Sequence, residues 1–419
     1  MRAEILSIGT EILIGSILNT NSRFLSQKLA ENAIDVYHHS TVGDNIERIA
    51  DSFRLASERA DIVISTGGLG PTEDDATLRG LAQYLNVRLV LHQPTYRHVL
   101  AKLRQAGFAK ITKLIEKQCY VPQNAKLIFK NQFGTAPGIL YETSYSKRKK
   151  WYLILPGPPR EMQPMFLNQA LPALKKLAHL PRQHFIIRTL KLAGVPESYV
   201  AQKIPKLLKM KPPITVGIYA KMSEVELKIM AKADHKKIAA KLILSVEKQI
   251  RKKFGHHIYG VDDETLSSVV GKYLSRQQKT LSVAESCTGG LVGNLLTETP
   301  GSSKYFRGGV ICYDNRVKIE KLGIPKEMIK QHGAVSRSCA GQMAQNIRKI
   351  FGTDYSLGIT GIAGPGGGTK TKPVGLVYIA VADKDKTNCK KYCFFGTRSE
   401  IKFRSAQKAL DLLRLTLMH

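Results

Sequence analysis

Along residues 1 to about 170, unbroken apolar runs take turns with stretches in which apolar positions recur every three or four residues. "AEILSIGTEIL" (3–13) is an apolar run that breaks at a Gly-Thr-Glu turn, and "DIVISTGG" (61–68) is another that ends in glycines. Runs of this kind predict strands buried on both faces of a parallel sheet. "TNSRFLSQKLAENAI" (20–34) and "NIERIADSFRLASERA" (45–60) have helical spacing, and "KKWYLILPGPPREM" (149–162) repeats the strand, turn and helix start. The alternation predicts a three-layer α/β domain with its site at the carboxyl ends of the strands.

The pattern changes over residues 171–260. Two helical stretches, "ESYVAQKIPKLLK" and "HKKIAAKLILSVEKQIRKKFG", flank the alternating segment "ITVGIYAKMSEVELKIMAKA". This predicts a small α+β module, a linker or a dimerisation unit. Residues 261–419 return to α/β: helical "DETLSSVVGKYLSRQQ", strands "KTLSVAES", "GGVICYD", "DYSLGITG" and "VGLVYIAVA", and a final amphipathic helix "SEIKFRSAQKALDLLRLTL". Three domains are expected, 1–170, 171–260 and 261–419.

Composition agrees with packed cores, since 43% of the 419 residues are hydrophobic and 23% charged. No apolar run reaches the roughly 18–20 residues of a membrane span. The N-terminus reads as a strand rather than a signal segment, so a cytoplasmic location is expected. Cys119, Cys287, Cys312, Cys339, Cys389 and Cys393 are scattered without C-x-x-C pairing, which favours reduced thiols over disulfides or a zinc site. The net charge of +31 admits nucleic acid or an anionic substrate as partner. Lysine and arginine are spread along the whole chain, however, with no interleaved aromatics, and this reads as a solvated basic surface.

Within 261–419, "SVAESCTGGLVG" (282–293) sets Ser286 at a strand end with a helix expected from Thr288. Amides at a helix start are unpaired and suit an anion or oxyanion, and Gly289 and Gly290 allow close backbone approach. A serine nucleophile needs a base. His332 is the histidine nearest a motif, and no Ser-His-Asp or G-x-S-x-G pattern is present. "CYDNRVK" offers Tyr313, Asn315 and Lys318. A lysine base needs its pKa lowered from about 10.4 toward 7, roughly 4–5 kcal/mol, which desolvation and a nearby cation such as Arg398 can supply. On spacing alone, Ser286 as a plain helix cap and Lys318 as a surface helix residue is the slightly favoured reading. "GITGIAGPGGGTKTKPVG" (358–375) brings Gly361, Gly364, Gly366 and Gly367 ahead of Lys372, a loop able to offer amides and a cation to phosphate, though it is no P-loop.

In the N-terminal region "STGGLGPTEDD" (65–75) ends a strand in Gly67, Gly68 and Gly70 and continues to Asp74 and Asp75. Glycine amides can cradle a phosphate while carboxylates hold a hard divalent cation. An acidic turn that caps the next helix would look the same.

Taken together, "AESCTGG", Y-x-N-x-x-K at 313–318, "HGAVS", G-I-A-G-P-x-G-G at 361–368 and "KPVG" resemble the CinA C-terminal family over about 155 residues. Members act as nicotinamide mononucleotide amidohydrolases of the PncC type. The resemblance implies a Ser-Lys hydrolase with Ser286 as nucleophile, Lys318 as base and no cofactor. It places Arg398 in the family's G-D-R motif, where Thr397 here replaces the aspartate, and it packs Cys287 behind the serine. Thr288, Gly289, Gly290, Tyr313, Asn315 and the glycine loop would bind substrate. "GTEIL-x-G", "TGGLGPTEDD", "GTAPG" and "PGPPRE" are similar to the CinA N-terminal domain, related to molybdopterin-binding domains of the MogA and MoeA type. That similarity implies ADP-ribose pyrophosphatase activity with a divalent metal, for which Asp74, Asp75 and Glu11 are the candidate ligands. Small nucleotides as partners and a homodimer are expected. A competence-associated nucleic-acid binder, or an N-terminal pterin binder without hydrolysis, are the alternatives.

Overall fold

The structure, a computed structural model, describes residues 1–108, 110–145, 148–177 and 184–418. Of the basic run "SKRKK" (146–150), residues 146 and 147 therefore lie outside the described residues. Two compact units emerge, Met1–Ile186 with Lys232–Ala239, and Ile187–Ala231 with Ala240–His419.

The first unit contains β1 (Arg2–Ile8), β2 (Asp35–Val42), β3 (Ile62–Thr66), β4 (Leu89–Leu91), β5 (Tyr120–Pro122), β6 (Leu127–Phe129), β7 (Gly138–Tyr145) and β8 (Arg148–Leu155). Its main sheet runs β2-β1-β3-β8-β7-β6, parallel through the first four strands and antiparallel at the last two, while β4 and β5 pair separately. The unbroken apolar runs are explained by two cores. Ile5, Ile64 and Leu153 point into one, and their neighbours Leu6, Val63 and Ile154 into the other, so each strand is buried on both faces.

The next segment forms β9 (His184–Ala193), β10 (Ile214–Lys221), β11 (Glu224–Ala233) and β12 (Ile258–Val261) in the order β10-β11-β9-β12, with a helix at Lys236–Phe254. The alternating segment is a β10–β11 hairpin. "ESYVAQKIPKLLK" is two short helices, Glu197–Lys203 and Pro205–Leu208. Pro205 has no amide to continue the first helix and starts the second instead.

The C-terminal sheet is β13 (Leu281–Glu285), β14 (Phe306–Ile311), β15 (Tyr355–Gly361), β16 (Leu376–Ala382) and β17 (Thr387–Cys393) in the order β14-β13-β15-β16-β17. β14, β13 and β15 are parallel, and β16 and β17 antiparallel. Helices Leu266–Arg276 and Arg398–Leu417 share one core with the sheet. Helix Arg337–Phe351 covers the other face so closely that a Cβ on Gly358 would fall 2.4 Å from the Ala340 carbonyl oxygen. Among the described residues no helix is long and apolar enough to cross a membrane.

Both main sheets reverse direction of winding beside their first strand. The chain leaves β1 toward β2 and β3 toward β8; it leaves β13 toward β14 and β15 toward β16. Adjacent loops that diverge in this way leave a crevice at the carboxyl ends of the strands, between β1 and β3 in one unit and between β13 and β15 in the other.

Candidate active sites at two switch points

Ser286 follows directly on β13, and its N–H donates to the Ile359 carbonyl of β15 at 2.9 Å. Gly289 and Gly290 then take φ of 62° and 92°, a left-handed conformation that glycine adopts without strain. The helix expected from Thr288 begins at Leu291. Its first amides are not open to a ligand, because the Glu285 carboxylate, 1% exposed, accepts from Gly290 (3.0 Å), Val292 (3.1 Å) and Gly293 (2.8 Å). Among the described residues, the amides left without an acceptor in this turn are those of Cys287 and Thr288.

Lys318 is no surface residue. It lies on helix Asn315–Glu320, capped by Asp314, and is 2% exposed. Its Nζ donates to the carbonyls of Cys312 (2.8 Å) and Tyr313 (3.1 Å). Arg398 opens the C-terminal helix and donates to the Gly364 carbonyl (2.6 Å) and the Tyr313 hydroxyl (2.9 Å). The Thr397 that departs from the family motif still caps this helix, in a capping box with Glu400.

Ser286, Tyr313, Asn315, Lys318, Gly361 and Arg398 line one cavity of about 200 Å³ together with Cys287 and Thr360. Thr288, Gly289, Gly290, Gly364, Gly366, Gly367 and Lys372 do not line it. Lys372 donates instead to the His332 carbonyl at 3.0 Å. Burial pushes the Cys287 thiol up to about 12, with the Glu285 carboxylate adding to the effect and Lys318 and Lys402 opposing it. Cys287 is therefore a protonated, weakly nucleophilic neighbour of Ser286 at neutral pH. Glu285 and Thr360 were missed in the sequence. A carboxylate closing an otherwise apolar strand was the available signal for the first. Thr360, whose hydroxyl donates to Ala334 O at 2.8 Å, gave none.

The N-terminal crevice is larger, about 800 Å³. Gly67, Gly68, Gly70, Glu11, Asp74 and Asp75 all line it, as do Asp44 and Glu161. Gly67 has φ of 105°, and a Cβ there would lie 2.0 Å from the Ile8 carbonyl oxygen, so close approach of β1 and β3 requires glycine. The amides of Gly67 and Gly70 are taken, by Leu155 O (3.2 Å) and Asp75 Oδ1 (2.6 Å). Among the described residues those of Gly68 and Leu69 have no acceptor.

The acidic residues divide into two kinds. Asp75 braces its own loop, since besides Gly70 it accepts from the Thr72 amide (2.8 Å) and hydroxyl (2.5 Å). It thus plays the turn-capping part rather than the open ligand expected of it. Asp44 accepts from Thr10, and Glu161 from Asn131. Among the described residues Glu11 and Asp74 have no hydrogen-bond or ion-pair partner, and no three His, Cys, Asp or Glu side chains are grouped to hold a metal. Two open carboxylates still suit a magnesium-like ion, which is commonly held by one or two carboxylates together with substrate phosphates and water.

Residues 263–417 match the family described as CinA C-terminal domain, residues 4–176 the probable molybdopterin binding domain, and residues 187–260 the damage-inducible protein CinA KH domain. A CinA-like protein of Dictyoglomus thermophilum is 44% identical over 421 residues, spanning 100% of both chains. One of Kosmotoga olearia is 44% identical over 418 residues, spanning 100% of this chain and 99% of its own. The crystal structure of the competence/damage inducible protein CihA from Agrobacterium tumefaciens is 35% identical, covers 37% of this chain and 94% of its own, and has a TM-score of 0.36. The KH match assigns a class to the middle module that its sequence pattern had left open. Its glycines, at 194, 217, 255 and 260, make no G-x-x-G, the loop with which KH domains clamp a nucleotide backbone.

Proposed function

Since the chain belongs to the CinA family, we propose that its C-terminal domain is a Ser-Lys amidohydrolase that converts nicotinamide mononucleotide to nicotinic acid mononucleotide and ammonia. The observation that carries the reading is the convergence of Ser286, a buried Lys318 and Arg398 on one small cavity. Ser286 Oγ attacks the carboxamide carbon while Lys318 takes its proton. Two positions on Nζ are held by the Cys312 and Tyr313 carbonyls, which leaves one for Ser286. The oxyanion is received by the Cys287 amide, a donor of a kind worth about 3–4 kcal/mol. Lys318 returns the proton to the departing ammonia, and water then cleaves the acyl-serine by the same path in reverse order. The Arg398 guanidinium, at the cavity and held to Tyr313, is the cation placed to meet the substrate's phosphate. Ammonia release measured over a panel of pyridine nucleotides and simple amides tests this. A preference for nicotinamide mononucleotide is expected, and its absence would overturn the assignment.

For the N-terminal domain the reading is metal-dependent cleavage of ADP-ribose. Glu11 and Asp74 would hold a divalent cation with the pyrophosphate, and the Gly68 and Leu69 amides would receive a phosphoryl oxygen. The ion, when bound, would neutralise phosphoryl charge and acidify a bound water.

A further inference from the structure

The second unit holds another cavity, of about 670 Å³, where the β10–β11 turn and β12 meet helices Leu266–Arg276, Leu291–Thr297 and Arg398–Leu417. None of its residues lines the cavity of Ser286 and Lys318 or the N-terminal crevice. Leu291 and Leu295 stand four residues apart on one helix, as Phe403 and Gln407 do on another, and each pair turns one helix face to the cavity. Leu266 and Tyr259 complete the apolar wall. Volume and lining are those of a small-molecule site.

Five charged side chains also line it: Lys191, Lys221, Glu224, Glu298 and Glu400. Both cations are turned to other partners. Lys191 Nζ donates to the Glu264 carbonyl at 2.9 Å, and Lys221 pairs with the buried Glu226. Each carboxylate has one oxygen held by the protein: Glu224 by the Tyr259 hydroxyl, Glu298 by Asn294 (2.9 Å) and Glu400 by the Thr397 amide (2.7 Å). Among the described residues their second oxygens have no partner. Burial, with the hydrogen bond and charge of Glu224, pushes the Tyr259 phenol well above its ordinary value. Tyr259 therefore keeps its proton and remains the donor to an ionised Glu224. In a chain of net charge +31, a cavity whose open charged atoms are carboxylate oxygens is a local exception.

We propose that this cavity is a ligand site for a small organic cation, an ammonium carried on an apolar body. The ammonium has three donors for the open oxygens of Glu224, Glu298 and Glu400. Tyr259 and Phe403 offer it aromatic neighbours, toward which a desolvated cation is attracted. The apolar body covers Leu266, Leu291 and Leu295. A bare metal ion does not suit the site, because among the described residues no three carboxylates are grouped to hold one. An anion would face three carboxylates and would have to draw Lys191 and Lys221 from their partners. The site is independent of the reactions proposed above, so failure of either leaves it standing.

Calorimetric titration of the full chain with phenethylamine, phenethyl alcohol and phenylacetate tests it, because the three share a ring and differ in charge. The amine is expected to bind about 10-fold more tightly than the alcohol, and the acid most weakly. Glu298→Gln, at an exposed position and still able to accept from Asn294, is expected to weaken the amine several-fold and to leave the alcohol and the Tm unchanged. Equal affinity for amine and alcohol overturns the proposal, as does tighter binding of phenylacetate or absence of amine binding. Amine binding that ignores Glu298→Gln and is lost in Glu11→Gln places the cation in the N-terminal crevice and overturns it too.

Discussion

The crevice between β1 and β3 and the crevice between β13 and β15 are built by the same winding of a parallel sheet, yet they hold opposite kinds of charge. The C-terminal cavity is small, about 200 Å³, and its lysine, Lys318, is buried and donates to two carbonyls. The N-terminal one is about 800 Å³, and its open carboxylates, Glu11 in the helical turn Thr10–Leu13 and Asp74 on a loop, are both exposed. A buried amine between fixed acceptors suits proton transfer to and from a covalent intermediate. Exposed carboxylates around a wide crevice suit an ion that arrives with its substrate. Topology decides where a ligand goes, and the burial of the charged groups decides which chemistry can follow.

The largest expected contrast comes from disabling one site at a time. Ser286→Ala should reduce ammonia release to background and leave ADP-ribose cleavage unchanged, whereas a chelator should do the opposite. Cys287→Ala should keep most of the deamidase rate, because the thiol is held protonated up to about pH 12. Chelation that removes both activities equally would erase the distinction between the sites.

Lys318→Met should lower deamidation by about 10²- to 10⁴-fold, as loss of a general base does. A mildly affected variant would take Lys318 out of the reaction.

At the other crevice Glu11→Gln and Asp74→Asn should each weaken metal-dependent turnover by about 10- to 100-fold, with unchanged melting. Asp75→Asn should instead lower the melting temperature, since it removes the charge that gathers Gly70 and Thr72. If all three variants behave alike, the division between open and bracing carboxylates fails.

The smallest effect is one of stability. Burial works against ionisation of Glu4, but hydrogen bonds from Arg59 and Ser40 and the charge of Arg59 hold its carboxyl below the usual range. The stabilisation is complete above the ordinary glutamate pKa and disappears as pH falls through the lowered folded value. Arg59→Met should cost about 1–3 kcal/mol at pH 7 and progressively less in acid, measured by urea unfolding. A cost independent of pH would remove this pair from the account.

Much of this was legible in the chain. The runs at 3–8, 61–66 and 281–286 announced strands because both faces of a parallel sheet are apolar, and glycines marked where those strands end. Ser286, Lys318 and Arg398 stood in motifs whose order carried them to one cavity. What escaped depended on partners distant in sequence. β2, "DVYHHSTV", is polar and largely exposed and becomes a strand by pairing with β1. Asp75 looked like a ligand because adjacent aspartates look alike until one is seen gripping Gly70. The glycine loop looked like the phosphate seat, but only Gly361 and Ala363 of residues 361–368 reach the cavity.

The grip of Glu285 on Gly290, Val292 and Gly293 also sets a direction of entry. A helix beginning beside a nucleophile would ordinarily be a landing place for phosphate, and a phosphorylated substrate could then seat itself the wrong way round, with its anion where the acyl group belongs. Here the Glu285 carboxylate already occupies those amides, so on the proposed reading a substrate's phosphate would find no seat there and would turn to Arg398 instead. On that reading the substrate would be sorted head from tail before any bond is broken.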